Sequence, residues 1–114
     1  MITDELPQHL QALARANEIR IARADLKRRI KRREVAAADV IDPAVEILAE
    51  AASMPVMELL TAQLHWGINR ARKVLVPLSI GEQRSLDSLS SRQRGQLHRA
   101  LAGGPIADAR RLVP

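Results

Sequence analysis

Between residues 20 and 33 the chain reads RIARADLKRRIKRR, a run of cations without a helix breaker. Residues 15–34 hold nine Lys/Arg against three Asp/Glu, a net +6 (9 − 3), whereas the whole chain carries +5. The rest of the protein is therefore close to neutral. Guanidinium and ammonium groups concentrated in this way neutralise phosphates and release condensed counterions, so their chemistry is salt-sensitive polyanion binding. Arg20, Arg23, Lys27 and Lys31 recur at i, i+3, i+4 spacing and are expected to form one stripe, with Arg28 and Arg32 beside it. Internal pairs such as Asp25 with Arg29 do not account for the run, because three acids cannot pair nine bases.

A second group spans residues 65–73. Gly67, in the short turn His65-Trp66-Gly67-Ile68, permits a left-handed backbone and close approach of a partner. The free N–H groups at the start of the following helix, for which Asn69 is the expected cap, attract an anion, and Arg70 and Lys73 add charge beside them. Trp66 is the single aromatic residue. It reads better as a core anchor than as a wedge against a base, and one ring cannot build the stacking platform of a single-strand binder. The expected polyanion is thus a duplex. His65 offers a pH-dependent contact, although an exposed turn residue is the plainer reading. Arg92 and Arg94 on the last predicted helix are candidate phosphate contacts, with Arg99 a weaker one.

Other chemistry is poorly served. Without Cys there is no disulfide, thiol nucleophile or Cys-type zinc site. His9, His65 and His98 are far apart and form no compact ligand motif, so no metal and no cofactor is expected. Ser90-Ser91 reads as a helix cap, and no catalytic constellation emerges; the chain is not expected to be an enzyme. No apolar run reaches the roughly 20 residues of a membrane span. Residues 1–16 carry Asp4 and Glu5 and lack the apolar core of a signal peptide, so a cytoplasmic location is expected.

The elements that must position these groups are helical. Phe and Tyr are absent, and Ala, Leu, Ile and Val supply the apolar residues, which favours an all-α fold. Thr3 or Asp4 is expected to cap a long helix from about residue 5 to 33, part of which projects from the body. Residues 35–41 form a short buried helix. Asp42-Pro43 is expected to start another that turns Val45, Leu48, Ala49 and Ala52 inward. Ser53-Met54-Pro55 stops and restarts the chain, and residues 57–64 place Leu59, Leu60 and Leu64 on one side. The helix after the turn ends at Gly81. Ser90 with Gln93 forms a capping box that opens a last helix through Leu101, stopped by Gly103-Gly104-Pro105. The division is one structural domain: a basic helix over 1–34, a helical body over 35–102 and a flexible tail over 103–114.

Two blocks together resemble the actinobacterial integration host factors. One is Arg20, Ala22, Arg23, Ala24, Leu26, Lys27, Ile30, Lys31 and Arg32. The other runs from Val56 through Leu59, Leu60, Gly67, Arg70, Ala71, Leu78, Ile80, Arg84, Leu86, Leu89, Arg92, Gln93 and Arg94 to Leu97. The resemblance implies a helix-two-turn-helix protein that binds double-stranded DNA, bends or compacts it as a nucleoid-associated factor, and in some members assists a phage-type integrase. It adds to the interface the hairpin from Trp66 through Ile68 and Asn69 to Lys73, together with Arg84. The chain departs from the pattern at Leu64, His65, Trp66 and Ile68, where two cations are lost. Ser85 and Asp87 stand where arginines are expected, and Arg33-Glu34-Val35 replaces a glycine-rich break. The expected protein is a divergent, monomeric member. Two other readings stand beside it: an RNA- or ribosome-associated basic protein, and a helical interaction module whose long helix packs on an acidic partner or on itself.

Overall fold

The computed structural model describes residues 7–102. The proposed caps Thr3 and Asp4, the glycine stop at 103–104 and the tail lie outside them. Among the described residues the fold has six α-helices and no strand: α1 (Gln8–Lys31), α2 (Ala37–Val40), α3 (Ala49–Ala52), α4 (Val56–Thr61), α5 (Ile68–Leu78) and α6 (Ser91–Ala102). A 3₁₀ turn, Leu86–Ser88, lies between the last two.

Helix α1 has 24 residues, about 36 Å at 1.5 Å per residue. Only its C-terminal half has a buried stripe, Leu26 and Ile30, and that half packs on α3. Residues 12–18 are all exposed, so the N-terminal half stands clear of the body. The helix stops without glycine. Arg33 takes the left-handed conformation at φ 66, its N–H donates to the Ile30 carbonyl, and Glu34 N–H donates to the Arg29 carbonyl at 2.8 Å. This is the Schellman closure, which usually places Gly at the left-handed position.

The core is aliphatic, as the composition requires. Ile41, Ala51, Met54, Val56, Leu59, Leu60, Ala71, Leu86 and Leu97 are fully buried, and Trp66 and Val74 pack against them. The first-turn N–H groups of α4 are satisfied by a passing segment: Val56 N–H donates to the Arg84 carbonyl and Met57 N–H to the Glu82 carbonyl. Leu86 N–H in turn reaches the Met54 carbonyl, an antiparallel contact that fastens the 82–86 segment beneath α4.

One predicted helix start is corrected. Asp42-Pro43 opens a turn, not a helix: the Asp42 carboxylate accepts from Ala44 N–H at 2.9 Å, and helix begins only at Ala49. Val45 and Leu48, expected inside, are exposed. An Asp side chain that bonds the backbone two residues on competes with helix, and here it wins because Arg94 holds the turn from below. The Arg94 guanidinium donates to the carbonyls of Ile41, Asp42 and Val45.

The capping box at α6 forms as the spacing predicts. Ser90 Oγ accepts from Gln93 N–H at 3.1 Å, and Gln93 Oε1 accepts from Ser90 N–H at 3.0 Å. Ser90→Ala is expected to cost about 1 kcal/mol. Thermal unfolding should show it as a melting temperature lower by about 4–8 °C.

Candidate nucleic-acid interface

Helices α4 and α5 are joined through two turns over residues 62–67. The geometry of this hairpin differs from the expected one in a specific way. Gly67 is extended (φ −98, ψ −177), and the left-handed residue is His65 at φ 66. A Cβ placed on Gly67 would meet nothing within 4 Å, so neither sterics nor dihedral demands glycine in the free protein. Its backbone, without a side chain, is open to outside contact. Gly67, not Asn69, is the N-cap of α5, and it offers no side-chain acceptor. The first-turn amides of Ile68, Asn69 and Arg70 therefore lack the carbonyl partners that serve α4. Together they form the positive end of an 11-residue helix.

Trp66 is half-buried against the core, which supports the anchor reading over the wedge. The guanidinium of Arg70 lies 4.4 Å from the ring centroid. The ring thus sets the direction of a cation placed beside the free amides. Lys73 and Ile68 are also exposed on α5. On the same helix Arg72 pairs with Glu82 at 2.5 Å. That hydrogen bond first, and the carboxylate charge second, push the Arg72 pKa further above its ordinary value.

The hairpin faces the basic helix across a groove of about 650 Å³, with Ala24, Lys27, Arg28 and Lys31 on one wall and residues 61–67 on the other. A second groove of about 540 Å³ lies on the other side of the His65–Trp66 ridge, and Arg33 and Arg70 line it. Two sequence-distant groups of cations are thereby brought to one ridge.

The predicted basic stripe divides. Arg23 turns to the body, where its Nε donates to the Glu50 carbonyl at 3.0 Å and its guanidinium also bonds Ser53 Oγ. Lys27 pairs with Glu58 at 2.8 Å. These two cations fasten α1 to the helices beneath it. Arg20, bonded to Asn17, lies exposed, as do Arg28, Lys31 and Arg32. Arg28 pairs with Asp25 at 3.3 Å and Arg32 approaches Glu34 at 4.0 Å, both loose surface contacts. Of the C-terminal candidates, Arg94 is spent on the 41–45 turn and Arg84 on the Ser88 carbonyl and hydroxyl. Arg92 is exposed on α6, away from both grooves around the ridge. His98 Nδ1 lies 2.8 Å from the Ala38 carbonyl and ties α6 to α2.

Arg33 was not singled out from sequence. Its only signal was its place beyond the last helical residue, where a left-handed closure aims the side chain back toward the hairpin groove. No cluster of three metal-ligating side chains occurs among the described residues. No described helix is long and apolar enough to cross a membrane.

No protein-family model matches the chain, and no curated protein matches it. Among solved structures the chain is similar to sIHF bound to an 8-base-pair palindromic DNA, with a TM-score of 0.67 and 29% sequence identity. The match covers 78% of this chain and 99% of that one. With its all-helical described fold and long N-terminal helix, the chain is similar to an sIHF-type integration host factor, at an identity that marks it as divergent.

Proposed function

We propose that this protein binds double-stranded DNA as an architectural factor, gripping the phosphate backbone at the ridge between α1 and the α4–α5 hairpin. The observation that carries the reading is that cations line both sides of the His65–Trp66 ridge, Lys27, Arg28 and Lys31 in one groove and Arg33 and Arg70 in the other, next to the open amides at the start of α5. The likeness to a protein solved on DNA supports the same partner. One backbone is held by the uncapped amides of Ile68, Asn69 and Arg70, with Lys73 adjacent. The exposed cations of α1 hold a second stretch of the same duplex. Contacts of this kind position a protein without reading bases, so preference comes from DNA shape and deformability. Two separated grips on one duplex give a monomer the means to bend it. Compaction of the nucleoid and assistance to a phage-type integrase are the corresponding roles. Arg84 and Arg94 act as internal clamps in this scheme, and Arg23 and Lys27 as fasteners of α1.

Fluorescence anisotropy with matched duplex DNA, single-stranded DNA and duplex RNA at two salt concentrations tests the proposal. Duplex DNA is expected to bind most tightly and to lose affinity steeply with salt. Preference for duplex RNA would move the protein to the RNA-associated reading, and absence of binding to any of the three at low salt would end the nucleic-acid one.

A further inference from the structure

Gln63, Leu64, His65 and Trp66 line both grooves, and of the four only His65 is exposed. It is the crest of the ridge. His65 takes the left-handed conformation at φ 66, a region in which His, like Asn and Asp, is enriched several-fold among non-glycine residues. Among the described residues its imidazole has no hydrogen-bond or charge partner. The other two histidines are placed differently. His98 Nδ1 is tied to the Ala38 carbonyl at 2.8 Å. His9 is exposed in the first turn of α1, about 28 Å along the helix from Arg28.

The charged groups around the crest are nearly all cations. The α1 wall carries Lys27, already paired with Glu58, and the exposed Arg28 and Lys31. On the other side Arg33 comes from the loop after α1, Arg70 from α5 and Asp39 from α2. Among the described residues Asp39 is the one carboxylate that lines either groove. The end of α6 adds only Leu101 and Ala102. A phosphate backbone that reaches Arg28 or Lys31 on one side and Arg70 on the other passes over His65.

We infer that His65 is a titratable phosphate contact at the crest of the ridge, so that duplex binding takes up a proton there. This rests on the DNA binding proposed above. Histidine changes charge between about pH 5 and 8, whereas arginine and lysine keep theirs over that range. The imidazolium has two N–H donors and gives phosphate a charge-assisted hydrogen bond; the neutral ring has one donor and no charge. The complex therefore holds more protons than the free protein, and by linkage affinity rises as pH falls through the histidine range. The added contact releases about one further counterion, so the salt slope is steeper at low pH.

Anisotropy titrations with a short DNA duplex at about pH 5.5 and about pH 8, each over a salt series, test the contact. Circular dichroism at both pH values confirms unchanged helicity. The unsubstituted protein is expected to bind about tenfold more tightly at the lower pH, with a salt slope steeper by about 1. His65→Asn tolerates the left-handed turn and does not titrate. It is expected to bind at both pH values as the unsubstituted protein does at the higher one, with a single salt slope. His65→Lys, charged throughout, is expected to keep the steeper slope at both. His9→Gln is expected to retain the full pH dependence. Retention of the pH dependence in His65→Asn, or its loss in His9→Gln, would overturn the assignment. Duplex binding that is indifferent to pH would overturn the His65 contact and leave the proposed function standing. Failure to bind duplex DNA at either pH would overturn both.

Discussion

Arg28→Glu together with Lys31→Glu is expected to weaken binding to every duplex by at least about 30-fold at moderate salt and to flatten the salt slope by about 2. Both side chains are exposed on the groove wall that faces the hairpin, and neither fastens α1 to the body. Each phosphate contact contributes close to one counterion to the slope, so removing two has a defined signature. Reversal of charge adds repulsion to the loss of attraction, which is why the affinity change should exceed that of alanine substitutions. Anisotropy titrations across a salt series, with circular dichroism to confirm unchanged helicity, measure both quantities. Affinity within twofold of the parent would remove α1 from the interface.

The contrasting pair is Arg23→Glu with Lys27→Glu. Sequence spacing alone places these cations in the same stripe. In the structure Arg23 donates to the Glu50 carbonyl and to Ser53, and Lys27 pairs with Glu58. Their reversal undocks α1 as well as removing charge, so any lost affinity would report on two effects at once.

Leu60→Ala should give the largest loss of stability, about 3 kcal/mol for a fully buried leucine whose cavity only partly collapses. For a domain of this size that lowers the melting temperature by more than about 10 °C. Leu60 sits in the last full turn of α4, and its carbonyl accepts from both the backbone and the side-chain amide of Gln63. The substitution removes side-chain packing and leaves these carbonyl bonds in place. Thermal unfolding checks the first effect. Anisotropy at low temperature, where the variant remains folded, should show a smaller loss of affinity than the double glutamate variant. Unchanged unfolding would contradict the burial of Leu60.

Much of the fold was legible because its signals are local. A long stretch free of Gly and internal Pro, rich in Ala, Leu and Arg, has no alternative to helix, and α1 follows. Ser90 and Gln93 satisfy one another within four residues, so the start of α6 needs no tertiary information. Asp42-Pro43 misled for the converse reason. Cap and turn begin with the same carboxylate-to-amide hydrogen bond, and the choice was made by Arg94, which reaches the turn from far along the chain. The turn at residues 65–67 was legible in place and not in detail: left-handed backbone belongs to His65, although Gly67 is the residue that ordinarily signals it.

The sequence by itself determined the helical class, the order of the helices and the concentration of positive charge on the first, because propensity, capping and net charge depend on residues near one another. It also carried the resemblance to the actinobacterial integration host factors, through two blocks whose order no single helix reproduces. Only the tertiary structure decided which cations remain free. A cation is free or spent according to the carbonyl, carboxylate and hydroxyl oxygens that packing brings within hydrogen-bonding reach, and those of Glu50, Ser53, Glu58 and the 41–45 turn are remote in sequence from Arg23, Lys27 and Arg94. The same packing chose which face of α1 is buried. Leu26 and Ile30 met a body and Leu10 and Ile21 did not, which periodicity along one helix cannot distinguish.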